Sequence, residues 1–120
     1  MITDSLANRL LDSVLRPGPV WVSLHSDDPG EIGDNEIVGE SYERQAAAFD
    51  IASDRTAINL DRAEFRELPQ SRIAYMGIWD APNGGRFLWA SERIDPALAI
   101  PQSGIVRVEP GFLAIKFLVE

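Results

Sequence analysis

Ile73-Ala74-Tyr75-Met76-Gly77-Ile78-Trp79, then Asp80-Ala81-Pro82-Asn83-Gly84-Gly85, then Arg86-Phe87-Leu88-Trp89-Ala90 is the stretch that decides the fold. Two runs of apolar and aromatic residues flank a segment rich in turn formers. Its proline fixes one φ, and its asparagine and paired glycines accept positive φ, so the chain reverses as a hairpin. Gly77 inside the first run predicts a bulge, or a large ring lying across the backbone.

Further strands lie on both sides of this hairpin. Upstream, Val20-Trp21-Val22-Ser23-Leu24-His25 alternates, with Val20, Val22 and Leu24 on one face. Gln45 to Ile51 and Thr56 to Leu60 read as two strands around Ser53-Asp54, and Ala63 to Phe65 is a short piece of ambiguous type. Downstream, the turn Gln102-Ser103-Gly104 precedes Ile105-Val106-Arg107-Val108, which Pro110-Gly111 joins to a closing strand from Phe112 to Val119. In that strand Leu113, Ile115, Phe117 and Val119 share a face. The one good helix is N-terminal. Thr3 or Asp4 caps it, Leu6, Leu10 and Val14 form a stripe with Leu11 and Leu15 beside them, and Pro17-Gly18-Pro19 ends it. Asn8, Arg9, Asp12 and Ser13 fill its other face. Parallel sheets need helical crossovers that this pattern lacks. The predicted fold is therefore all-β: an antiparallel β-sandwich of about seven to eight short strands with one N-terminal α-helix.

The chain has 120 residues, 45 % of them hydrophobic and 25 % charged, which suffices for one packed core. Residues 1–120 are expected to form a single domain, with the helix in 1–16 and the sandwich in 20–119. With no cysteine, neither a disulfide framework nor a thiolate metal site can form. A formal net charge of −8 repels phosphate backbones, so nucleic acid is not an expected partner. No apolar run is long enough to span a bilayer and no signal-peptide pattern opens the chain, so synthesis in a cytoplasm without membrane insertion is expected.

Residues 26–44 form a long polar loop holding seven acids, Asp27, Asp28, Glu31, Asp34, Glu36, Glu40 and Glu43, before the first base, Arg44. Hard cations want several oxygens at once, but the spacing is not that of an EF-hand. The segment reads as a solvated, negatively charged face, and no metal or other cofactor is assigned. Pro29 and Gly30 set a tight turn. Tyr42 can lay its ring on the apolar layer with its hydroxyl bonded to the loop, and Arg44 can gather carboxylates with its fork of donors.

Catalytic groups are scarce. His25 is the only histidine, no serine sits in a glycine-flanked elbow, and Ser23 and Ser26 lie too close along one strand to build a triad on it. His25, beside Asp27 and Asp28, is expected to be a polar rim residue bonded to its own loop. The pairs Gly84-Gly85 and Gly30/Gly33 lack the lysine and the strand-to-helix setting of a phosphate cradle. Trp21, Trp79 and Trp89 fit either a sandwich core or a carbohydrate groove.

The run Leu24-His25-Ser26-Asp27-Asp28-Pro29-Gly30, followed by Asn35-Glu36-Ile37, Gly39 and Ser41-Tyr42-Glu43-Arg44-Gln45, resembles a signature of small structural proteins of tailed bacteriophages. The likeness continues at Gly77-Ile78-Trp79-Asp80-Ala81, Gly84-Gly85, Gly104 and Pro110-Gly111, and covers the chain from about residue 20 onward. Such proteins are labelled tail-fibre-like or minor tail proteins, with related members on the capsid. The resemblance implies a non-enzymatic accessory subunit of the virion, made in the host cytoplasm and docked on other virion proteins of tail or capsid. A homo-oligomer or symmetric multi-copy assembly is expected. The expected contact residues are Leu6, Leu10 and Val14 on the helix, Asp27, Asp28, Glu31, Asp34 and Glu36 in the acidic loop, and Tyr42 and Arg44. The alternative is a carbohydrate-binding, receptor-recognition module with a host glycan as partner, which requires exposed tryptophans.

Overall fold

In the computed structural model, which describes residues 1–117, helix α1 (Asp4–Leu15) leads into ten strands. These are β1 (Val20–His25), β2 (Gln45–Ala47), β3 (Thr56–Ile58), β4 (Ala63–Leu68) and β5 (Ser71–Ile73), then β6 (Tyr75–Trp79), β7 (Phe87–Ala90), β8 (Leu98–Ile100), β9 (Gly104–Val108) and β10 (Ala114–Lys116). Every pairing is antiparallel. One sheet runs β2-β1-β6-β7, and the pairs β10-β3, β4-β9 and β5-β8 pack around it in a sandwich-like arrangement. The all-β class with one N-terminal helix stands. The count exceeds the expected seven to eight because several strands are only three residues long.

Most differences from the expected strands trace to backbone hydrogen bonding. The run from Ile73 to Trp79 breaks at Ala74, whose N–H donates to the His25 carbonyl and whose carbonyl accepts from Ile94 N–H. Diverting those two groups passes the chain from the β5-β8 pair to the β6 sheet. Leu98–Ile100, bracketed by Pro96 and Pro101, is a strand that no period marks. Ala63 to Phe65 is the start of the longer β4. The Val119 end of the expected closing strand lies outside the described residues.

The turn after β2 carries Asp54 and Arg55 at φ 51° and 59°, the geometry of a two-residue hairpin turn of type I′. Positive φ is costly for side chains other than glycine. Helix α1 holds it in place. Asn8 Oδ1 accepts Arg55 N–H at 2.9 Å, Asp12 Oδ1 accepts Ala52 N–H at 2.8 Å, and Arg55 Nε meets Asp4 Oδ1 at 2.6 Å. Thr3 Oγ1 caps the helix by accepting Leu6 N–H.

This docking decides which apolar row of the helix meets the body. Ala7, Leu11 and Leu15 face the body, and Asn8 and Asp12, read as part of the polar face, bond to the 52–55 turn. Leu6, Leu10 and Val14 are 48, 41 and 53 % exposed.

The core joins Val22 and Leu24 of β1, Met76 and Ile78 of β6, Phe65 and Leu68 of β4, and Val106 and Val108 of β9 to Leu11 and Leu15. Asn59 is buried in it, fully bonded. Its amide donates to the carbonyls of Asp61 and Glu109, and its Oδ1 accepts Leu113 N–H. Among the described residues no helix is long and apolar enough to cross a membrane.

Candidate functional site

Strand β1 is buried on both faces, which alternation alone does not predict. Val20, Val22 and Leu24 face the core, while Ser23 and His25 on the other face are fully enclosed. The cover comes from the acidic loop. Beyond Val22, where β2 stops pairing, residues 35–37 take over the edge of β1: Ser26 N–H donates to the Asn35 carbonyl and Ile37 N–H to the Leu24 carbonyl. Gly33 then lies against the rings of Trp79 and Phe87.

A clamp locks this loop to the hairpin. Arg44 donates through Nε to Glu36 Oε2 and through Nη2 to Glu36 Oε1, both at 2.9 Å, a two-pronged ion pair. Its Nη1 donates to the carbonyls of Ala81 and Gly84, and its guanidinium carbon lies 3.7 Å from the centre of the Trp79 ring. The Tyr42 hydroxyl donates to Glu36 Oε2 at 2.6 Å and accepts Leu24 N–H at 3.1 Å, while the Tyr42 ring stacks on Phe65. The loop and the hairpin, 37 to 40 residues further along the chain, thus meet on one largely buried charge pair. Burial pushes the Glu36 carboxyl up, but the hydrogen bonds from Arg44 and Tyr42 outweigh it and hold the group below the usual carboxylate range. Burial and the Glu36 hydrogen bond push the Tyr42 hydroxyl far above its ordinary value.

Under the clamp runs a second chain of bonds. His25 Nδ1 lies 2.7 Å from the Asp34 carbonyl and must donate to it, which leaves Nε2 to accept from Ser23 Oγ at 2.6 Å. Trp79 Nε1 donates to Ser23 Oγ at 2.9 Å. Every polar atom is satisfied only with a neutral imidazole, and burial accordingly holds the His25 pKa below its ordinary value of 6.5. His25 bonds to its own loop as expected, but as a core residue, because a loop nine residues on closes over it. This Ser–His pair has the spacing of a nucleophile and its base, yet neither group has exposed surface for a substrate to reach.

The ten expected contact residues fall into three settings. Leu6, Leu10 and Val14 line the outside of α1. Asp27, Asp28, Glu31 and Asp34 are exposed on the loop, where Asp27 Oδ1 accepts Asp28 N–H and Asp28 Oδ1 accepts Gly30 N–H to hold the turn. Glu36, Tyr42 and Arg44 are the interior clamp. The expectation of a wholly solvated acidic face is thus corrected at Glu36. Among the described residues no three histidine or carboxylate side chains converge as metal ligands. Sequence reading missed the Ser23 bond to Trp79, the bonds of Asn59 and the Trp79 contact with Arg44, since these partners lie 35 to 56 residues apart in the chain or were read as core alone. Trp79, enclosed by Arg44, Phe87 and Gly33, offers no sugar platform.

The titrations give a testable consequence. His25 and Glu36 both bind protons less readily folded than unfolded, so stability rises with pH. The His25 contribution is complete above its unfolded value of 6.5 and declines as the pH falls below it. The Glu36 contribution is complete above 4.5 and is lost as the pH falls through its depressed folded value. The urea midpoint should fall between about pH 7 and 5, and this fall should flatten in His25→Gln while the drop at lower pH remains. An unchanged midpoint across the first interval would mean that His25 is not held neutral.

No curated protein matches the sequence. A family model does, that of the podophage GP4 fiber I protein gp80, over residues 1–116, so the match takes in helix α1 as well as the loop and hairpin. The chain, an antiparallel β-structure whose loop is clamped by Glu36, Tyr42 and Arg44, belongs to this family of phage fibre structural proteins.

Proposed function

We propose that the protein is an accessory subunit of a tailed-phage virion that acts by adhesion, docking on other virion proteins of the tail and performing no catalysis. The observation that carries this reading is the pair of apolar stripes on α1. Ala7, Leu11 and Leu15 already bind the helix to its own domain, yet Leu6, Leu10 and Val14 stand exposed beside them. A helix that needed only to cover its own core would carry polar residues there. The acidic loop extends the contact, with Ile32 and Val38 exposed among Asp27, Asp28, Glu31 and Asp34. Symmetric multiplicity in the particle lets modest single contacts add up to firm attachment. Synthesis in the host cytoplasm and assembly into the virion complete this reading.

Glycan recognition is weakened by the enclosure of Trp79, which leaves Trp89 alone of the hairpin pair partly open. The test is a phage carrying Leu10→Glu. Burying a charge at a central contact should cut incorporation into particles roughly tenfold or more, with the melting temperature of the isolated protein unchanged. Normal incorporation of the variant would remove the helix from the interface.

A further inference from the structure

A groove of about 560 Å³ is lined by Trp89 and Ala90 of β7 and by Phe112, Ala114 and Lys116 at β10. Among the described residues, strand β7 pairs only with β6, and β10 only with β3, so each presents an open edge. The direction of their backbone groups follows from the ladders. Ser91 N–H donates to the Met76 carbonyl, and Ala90 stands opposite Gly77 as the next residue, so its N–H and C=O point away from β6. On β10, Asn59 N–H donates to the Leu113 carbonyl and Phe117 N–H to the Arg55 carbonyl. Ala114 and Lys116 alternate with these bonded positions and point away from β3. Among the described residues no other segment accepts from these outward amides.

We propose that this groove receives an extended segment of another virion protein as an added strand, bonded to β7 on one wall and β10 on the other. The size fits. A strand residue fills about 160 Å³ at ~3.3 Å rise, ~4.8 Å strand spacing and ~10 Å sheet spacing, so the groove holds about three or four residues. Neither wall is interrupted by proline. Pro69 precedes β5, and Pro96 and Pro101 bracket β8, whereas no proline interrupts 87–94 or 112–117. Trp89 and Phe112 offer apolar contacts for alternate side chains. Lys116 and Arg93, neither in an ion pair among the described residues, outnumber Glu92 at the groove, an excess of positive charge in a chain of net −8. The incoming strand therefore carries apolar residues with acidic ones beside them. A second folded copy does not suit the slot, because all ten described strands are already paired and a strand paired on one side has a single free edge, which can reach only one wall.

The proposal rests on virion assembly, and its test separates the two. Hydrogen exchange is followed on the isolated protein and on purified particles. The amides of Ala90, Ala114 and Lys116 should exchange roughly tenfold slower or more in the particle. Particles that lack the protein would defeat the assembly reading itself. Particles that hold it with these amides as fast as in the isolated chain would overturn the added strand alone. Slow exchange in the isolated chain, together with a doubled mass, would assign the edges to self-pairing and also overturn it. Ala90→Pro removes one outward donor and no ladder bond, so it should keep the wild-type melting temperature but enter particles roughly tenfold less. Wild-type occupancy by this variant would contradict the proposal, and should it fail to fold, the exchange result on the unmodified chain decides.

Discussion

Arg44→Ala is expected to lower the unfolding free energy by about 3–5 kcal/mol, because removing one partner of a buried ion pair leaves the other charge uncompensated. The Arg44 side chain is 8 % exposed and its Glu36 partner 20 %, so water does little to replace the lost donors. Five contacts go at once: both carboxylate oxygens of Glu36, the carbonyls of Ala81 and Gly84, and the face of Trp79. Lysine cannot restore them, since a point charge does not supply a planar fork that bridges a carboxylate and stacks on a ring. Arg44→Lys should therefore recover less than half of the loss. The paired replacement Arg44→Met with Glu36→Leu should recover much of it, because an apolar pair leaves no buried charge. Urea unfolding of the four proteins measures this coupling. A loss below about 1 kcal/mol for Arg44→Ala would reduce the clamp to an exposed surface ion pair.

The second large effect is expected at Gly33. Its φ is +80°, and a Cβ placed there would lie 2.3 Å from Trp79 Cζ2 and 3.0 Å from Phe87 Cδ1. Two costs combine in Gly33→Ala: about 1–2 kcal/mol for the left-handed conformation and about 1–3 kcal/mol for overpacking. Gly84 separates them, having φ +60° with nothing within 4 Å of a built Cβ. Gly84→Ala should therefore show the conformational cost alone. The rings that crowd Gly33 also form the cover over Ser23 and His25, so Gly33→Ala should in addition expose Trp79 and shift its fluorescence toward that of a solvated indole. Equal losses for the two variants would mean that the loop does not press on the hairpin rings.

What could be read from the sequence was local. Turn residues at 80–85 marked the hairpin, and Gly77 signalled a ring across the backbone, which is the Phe87 ring, 2.4 Å from where a Cβ would stand. Tyr42 and Arg44 follow the acids closely enough for a hydroxyl bond to the loop and a gathering of carboxylates to be anticipated from residue chemistry, while Glu36 as their shared partner is set by the fold. The helix was harder, because 6/10/14 and 7/11/15 are both apolar rows at helical spacing, and the choice between them depends on Asn8 and Asp12 reaching a turn 40 to 47 residues away. His25 looked like a rim residue because its cover comes from loop closure, which no periodicity records. Strands such as Leu98–Ile100 are too short to show a period and take their form from their partners.

The central claim is that this chain works as an adhesive part of a virion, and high-resolution electron microscopy of purified particles tests it most directly. The account predicts density for the chain in symmetric copies on the tail, with Leu6, Leu10 and Val14 covered by a neighbouring protein. Particles whose density and mass spectra contain none of this protein would contradict it.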